Sequence, residues 1–142
     1  MVLYPPHLHR STMVQRRQAQ KGLLGSLEQP PNCGSWKLRR VNALKSLGWE
    51  QWVFLSCPWG HHDPGNLLPY RKAQCFASNA NLASLVLPCT CPEHQQIEGV
   101  VESGPRQGER RSEVSGEYPW AMCRELASIM QQELSALARP HR

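Results

Sequence analysis

Hydrophobic and polar positions alternate most regularly near the C-terminus. Met122, Leu126, Ile129, Met130, Leu134 and Leu137 recur at three- and four-residue intervals. This spacing predicts an amphipathic helix with Pro119 in its first turn and an end near Arg139, before Pro140, its apolar stripe turned to a core. A second helical spacing, Trp36, Leu38, Val41, Leu44 and Leu47, closes on Gly48. A third helix is expected from Ser11, where Ser11 or Thr12 can cap, to the region of Gly22 to Gly25. Strand signals lie between these. Trp52-Val53-Phe54-Leu55, within Trp49 to Cys57, is an unbroken run of β-formers suited to burial on both faces. Lys72 to Ser78 reads as another strand, Ile97 to Val101 as a third, and Leu23, Leu24 and Leu27 as a short one halted by Pro30 and Pro31. Asn79 is placed to cap a helix running through Leu87. Residues 58–70 hold three Pro, two Gly and two adjacent His, and read as loop.

These elements predict an α/β chain in four parts. Residues 1–10 form a disordered lead-in, 11–103 a partial α/β domain, 104–117 a charged flexible linker, and 118–142 the C-terminal helix and tail. With 142 residues, 40% of them hydrophobic, there is room for one small core beside long irregular stretches. No apolar run approaches the roughly 18 residues of a membrane span, so no membrane partner is expected. Met1 to Arg10 lacks the apolar centre of a secretory leader, which points to an intracellular compartment and reduced thiols. Charge matters more by its placement than by its sum of +5. Residues 1–49 carry eight Lys/Arg against one acid, while residues 50–142 carry eight against ten. Such a basic third can face phosphate or an acidic partner. A solvated helix surface has the same composition, and no aromatic residues interleave with these charges as single-strand binders require.

Candidate chemistry begins with six cysteines. Cys89-Thr90-Cys91-Pro92-Glu93-His94 packs two thiols and an imidazole into six residues, with Cys57, His61 and His62 upstream. Zinc takes four tetrahedral nitrogen or sulfur ligands, and Cys57, Cys89, Cys91 and His94 suffice if the fold joins them. The spacing weighs against it, because paired cysteines in a zinc knuckle are separated by two or more residues and here by one. The other reading is ordinary buried thiols and an exposed His. Cys33, after Pro30-Pro31-Asn32, has no His nearby in sequence to activate it as a nucleophile.

The order of short motifs carries a resemblance. Leu27-Glu28-Gln29-Pro30-Pro31-Asn32-Cys33 is followed by Val53-Phe54-Leu55-Ser56-Cys57-Pro58-Trp59-Gly60, then Pro69-Tyr70-Arg71-Lys72, Cys89 to His94, and Tyr118-Pro119-Trp120. From about Leu23 to Ala127 this series resembles the C-terminal half of divergent cytosine-5 DNA methyltransferase-like domains of mobile-element polyproteins and protist proteins. The resemblance implies a Rossmann-like, doubly wound fold of which the chain holds the back half. It places Glu28 where the family glutamate bonds a flipped cytosine, and Arg71 and Lys72 in a basic motif that contacts nucleic acid. Departures are plain: Tyr70 stands where better-known members have Gln, and Gln74 where a second Arg is expected. The glycine turn for S-adenosylmethionine and the Pro-Cys nucleophile loop are missing before Glu28, so no cofactor site and no independent catalysis are expected.

The combined expectation is a Rossmann-like α/β fragment, non-catalytic, with residual nucleic-acid binding at Arg71 and Lys72 and a vestigial Glu28. The alternatives are a small zinc-stabilised binding module built on Cys57, Cys89, Cys91 and His94, and a reading frame without selected function.

Overall fold

A computed structural model describes residues 6–138. The expectations for residues 1–5 and 139–142 lie outside the described residues. The first helix, α1 (Pro6–Gln20), starts five residues earlier than capping at Ser11 suggests, with Pro6 in the first position that proline tolerates. Residues 6–10 of the expected lead-in are therefore helical. It ends as expected at Gly22, whose φ of 67° suits glycine; the Leu23 amide reaches back to the Gln18 carbonyl. The chain then enters β1 (Ser26–Gln29). Leu27 is buried, while Leu23 stays exposed before the strand.

The helix expected from Trp36 to Leu47 is split. A 3-10 turn, Gly34–Lys37, precedes α2 (Arg39–Lys45), and Leu38 between them is extended, with ψ of 134°. Trp36, Val41 and Leu44 still share one buried face, and Gly48, at φ 86°, stops the helix where expected. The strands β2 (Glu50–Leu55) and β3 (Ala73–Ser78) follow.

All pairing in the sheet is antiparallel, in the order β1-β3-β2, with Leu27 opposite Ala77, and Trp52 opposite Phe76. The fold thus mixes helices with a small sheet, as expected. The parallel strands and crossover helices of a Rossmann-like unit are absent among the described residues, because each strand here returns beside its partner in the opposite sense. The expected two-sided burial also moves to another strand. β2 lies at the edge, so Val53 is 51% exposed and only Phe54 of that strand is fully buried. The central strand is β3, buried from Gln74 to Ser78.

Each sheet face carries its own apolar cluster. Leu27, Cys75 and Ala77 pack with Trp36, Val41, Leu44 and Trp49 on one side. On the other, Phe54 and Phe76 pack with Leu82, Leu85, Met122 and Ile129. The last two belong to α4 (Trp120–Leu137). Its apolar stripe is buried over the first part, whereas Leu134 and Leu137 are exposed beyond the sheet. Because α4 shares a cluster with β2 and β3, it is part of the same core rather than a separate segment.

Three further expectations change. Asn79 caps no helix to Leu87; its side chain accepts from the Gly25 amide at 3.0 Å and donates to the Leu23 carbonyl at 2.8 Å, leaving only a 3-10 turn at Ala83–Leu85. Ile97 to Val101 forms a single bridge, Val100 to Arg110, instead of a strand. Residues 104–117 are not a bare linker: a short helix, α3 (Arg111–Val114), buries both Arg111 and Val114. Arg106 pairs there with Glu109 and Glu117.

Gly25 is the tightest junction between α1 and β1. A Cβ there would lie 2.5 Å from Gln15 Oε1 and 2.8 Å from Trp49 Cη2, while Gln15 also donates to the Ser26 carbonyl. Gly25→Ala should cost about 1–3 kcal/mol by overpacking. A urea melt reads this as a lower midpoint at unchanged slope; an unshifted midpoint would show that the contact yields freely.

Candidate metal centre

Two segments build the site. The strand β2 runs into buried Ser56 and then a 3-10 turn, Cys57–Trp59, with Pro58 early in it and Gly60 closing it at φ 80°. This sets the Cys57 side chain at the end of the sheet, buried. The second segment, residues 86–96, has almost no regular structure and is fixed at both ends. At one end Trp59 Nε1 donates to the Leu85 carbonyl at 3.0 Å. At the other, the Gln95 amide donates to the Pro69 carbonyl at 2.9 Å, and Asn66 Nδ2 donates to Gln95 Oε1 at 2.6 Å.

Between these anchors the ligand atoms of Cys57, Cys89, Cys91 and His94 all lie within 4.8 Å of one another. Cys89 Sγ is 3.3 Å from His94 Nε2. Bonds of about 2.3 Å to sulfur and 2.0 Å to nitrogen in a tetrahedron would space such atoms roughly 3.5–3.8 Å apart. The donor set therefore fits zinc, and the four residues are those the sequence singled out. The short Cys-x-Cys spacing is no obstacle, because residues i and i+2 of a chain that is not wound into a helix can present side chains on one side. A knuckle turn needs the wider spacing; this segment uses none.

The electrostatics match a site that gathers negative charge. Burial pushes the Cys57 thiol up to about 12, with Cys89 and Cys91 adding to the rise. The Cys89 thiol is drawn down, first by a backbone hydrogen bond from Cys91 and in smaller part by the Arg71 guanidinium. All six cysteines are free of disulfides.

The residues implied by the methyltransferase resemblance are not gathered. Arg71 is exposed and acts on Cys89. Lys72 is half-buried, and its Nζ donates to the Ser115 carbonyl at 2.9 Å. Glu28 pairs across the sheet with Phe76, four residues beyond Lys72 and thus about 13 Å along the strand direction. Its carboxylate lies by the Tyr118 hydroxyl, whose pKa rises first through burial and then through Glu28. Cys33 has Ser35 as its neighbour, with Oγ 3.1 Å from Sγ, and hydrogen bonds from Ser35 lower its pKa. Its other side-chain partner is Gln29 Oε1, 3.7 Å from Sγ, and no imidazole bonds to it among the described residues.

Beside the cluster lies a buried polar network that sequence reasoning missed. Asp63, fully buried, accepts from Arg111 Nε at 2.8 Å, the Tyr70 hydroxyl at 2.7 Å, and the amides of Gly65 and Asn66 at 2.8 and 3.1 Å. Burial alone would raise its pKa, but these four donors together hold it at about 2. The Asp63-Pro64-Gly65-Asn66 run is a recognisable Asx-turn signal. Arg111, 48 residues on, gave no signal. The network ties the loop that follows Cys57 to α3 through Asp63, Tyr70 and Arg111.

His61 and His62 stay outside the cluster. His61 Nδ1 is 2.8 Å from Ser56 Oγ, and burial lowers its pKa to about 4, with Lys72 contributing next. Both histidines line a cavity of about 290 Å³ together with Cys57, Gly60, Leu67 and Pro69. Among the described residues no helix is long and apolar enough to cross a membrane. No known protein family, curated protein or solved structure matches the chain.

Proposed function

We propose that this chain is a small zinc-stabilised binding module in which Cys57, Cys89, Cys91 and His94 hold one structural Zn²⁺. The convergence of four soft and borderline donors within 4.8 Å carries the reading. Three thiolates and an imidazole complete a tetrahedron and leave no open position for a substrate, which is the pattern of a structural site. The bound ion would neutralise thiolates that otherwise repel one another, and Arg71 offsets the remaining negative charge. Its work is to hold the irregular 86–96 segment against the end of β2, so that loops are displayed on a fixed frame. The Ser56–His61 pair favours binding over hydrolysis, because Ser56 is completely buried and has no access to a substrate.

Metal analysis of protein purified in the presence of zinc tests this. One zinc per chain is expected, with Cys89→Ala and His94→Ala lowering the content severalfold and Cys123→Ser leaving it unchanged. Cobalt substitution should produce intense thiolate-to-metal absorption that Cys89→Ala abolishes. Well under stoichiometric zinc in the wild-type protein would overturn the reading.

A further inference from the structure

We propose that the paired helices α1 and α2 form a docking surface for the phosphate backbone of a nucleic-acid duplex. The two helices pack on one another and on the first apolar cluster through Ala19, Val41 and Leu44. Thr12, Gln15 and Ala19 turn inward on α1, as do Val41 and Leu44 on α2. What faces solvent is basic: Arg16, Arg17 and Lys21 at the end of α1, and Lys37, Arg39 and Lys45 on and before α2. None of these six forms an ion pair with a carboxylate among the described residues. The one acid of residues 1–49, Glu28, lies on β1 beside Tyr118. Ten of the eleven carboxylates lie in residues 50–142, and among the described residues none pairs with these six. The complement of this basic face is a dense array of negative charge.

The surroundings choose among polyanions. Trp36 and Trp49 are buried, so among the described residues no exposed aromatic accompanies these cations on which a single strand could stack. An interfacial membrane helix needs a broad outward apolar face, whereas the exposed apolar side chains of α1, among those described, are Met13 and Val14, next to Arg16 and Arg17. A duplex backbone, met by charge alone and without base reading, fits best. This surface is separate from Arg71 and Lys72, the first of which serves the metal cluster and the second of which bonds Ser115.

The test is fluorescence anisotropy of the full chain with a labelled 20-base-pair DNA duplex over a salt series. If about five of the six cations meet phosphates, log affinity should fall against log salt with a slope of about −4.5. Arg16→Ala/Arg17→Ala/Lys21→Ala should flatten the slope by about 2.7 and Arg39→Ala/Lys45→Ala by about 1.8, while Arg124→Ala leaves it unchanged. All these side chains are exposed, so zinc content and the urea midpoint should stay at wild-type values. Any loss of binding is then separable from failure of the metal site. Absence of binding at 50 mM salt would overturn the proposal. So would slopes unmoved by the α1 and α2 substitutions, or tighter binding to a single strand of equal length or to phosphatidylserine vesicles.

Discussion

With zinc bound at the proposed site, stripping it should remove a large part of the domain's stability. Structural zinc sites contribute an apparent 10–16 kcal/mol in small peptides, against net domain stabilities of about 5–15 kcal/mol. In this chain the clusters on either side of the sheet can persist without the ion, so the loss will be less than the full binding energy. A loss of about 5 kcal/mol, at roughly 3–4 °C per kcal/mol for a chain of this size, lowers the melting temperature by at least 15 °C. Treatment with a strong chelator, or Cys57→Ser, should produce this shift, and Cys123→Ser should not. Cys57→Ser is the sharper variant, since it leaves the 86–96 segment intact and removes only the ligand at the end of β2. Hydrogen exchange should show residues 86–96 losing protection first, because their contacts outside the cluster are confined to the anchors near Leu85 and Gln95. Full removal of the metal with an unchanged melt would refute a structural role.

The second large effect belongs to Asp63. Asp63→Ala leaves the Arg111 guanidinium, on a side chain 7% exposed, without its carboxylate partner and with Glu102 at 3.7 Å, the Glu98 carbonyl and the Tyr70 hydroxyl beside it. Breaking a buried pair in this way costs about 3–5 kcal/mol. Replacing both partners, as in Asp63→Leu/Arg111→Met, removes the stranded charge and should recover much of the loss. The pair also sets a pH dependence. Asp63 titrates at about 2 in the fold and at 3.8 ordinarily. A depressed carboxyl stabilises fully above its ordinary value and loses that stabilisation as pH falls through the folded value, here from about pH 4 down to 2, for about 2 kcal/mol. Comparing urea midpoints of wild type and Asp63→Asn at pH 5 and pH 2.5 isolates this contribution from acid release of the metal. A gap between the two proteins that stays constant over that window would show that Asp63 does not titrate as described.

Local features were legible in the sequence where one residue type dictates one geometry. Gly22 and Gly48 stop helices because each takes a positive φ there, and Met122 and Ile129 announce the buried stripe of α4. The four residues of the Cys/His cluster were legible from side-chain chemistry alone. What the sequence hid depends on neighbours distant along the chain. Trp52 to Leu55 is more apolar than Gln74 to Ser78, yet β3 is the central strand, because β1 and β2 both pair with it. Small side chains at Ala77 and Ser78 carry little hydrophobic signal but allow close packing on two faces. Asn79 carries a helix-capping signal, and its long-range bonds to Leu23 and Gly25 outcompete it. Arg111 sits in a stretch of charges that reads as solvated, and only Asp63, far upstream, makes its burial tolerable.

The cluster has a topological consequence for how the chain folds. Cys57 and Cys89 bracket a loop of about 32 residues, and that loop contains β3, the strand both others need. Treated as a cross-link, closing it restricts the disordered chain by about 4 kcal/mol of loop entropy. An ion captured early would deliver β3 to the neighbourhood of β2 before β1, about 50 residues upstream, has been found. Refolding with zinc present from the start should then outpace refolding with zinc added last, giving the metal a part in the speed of assembly as well as its endpoint.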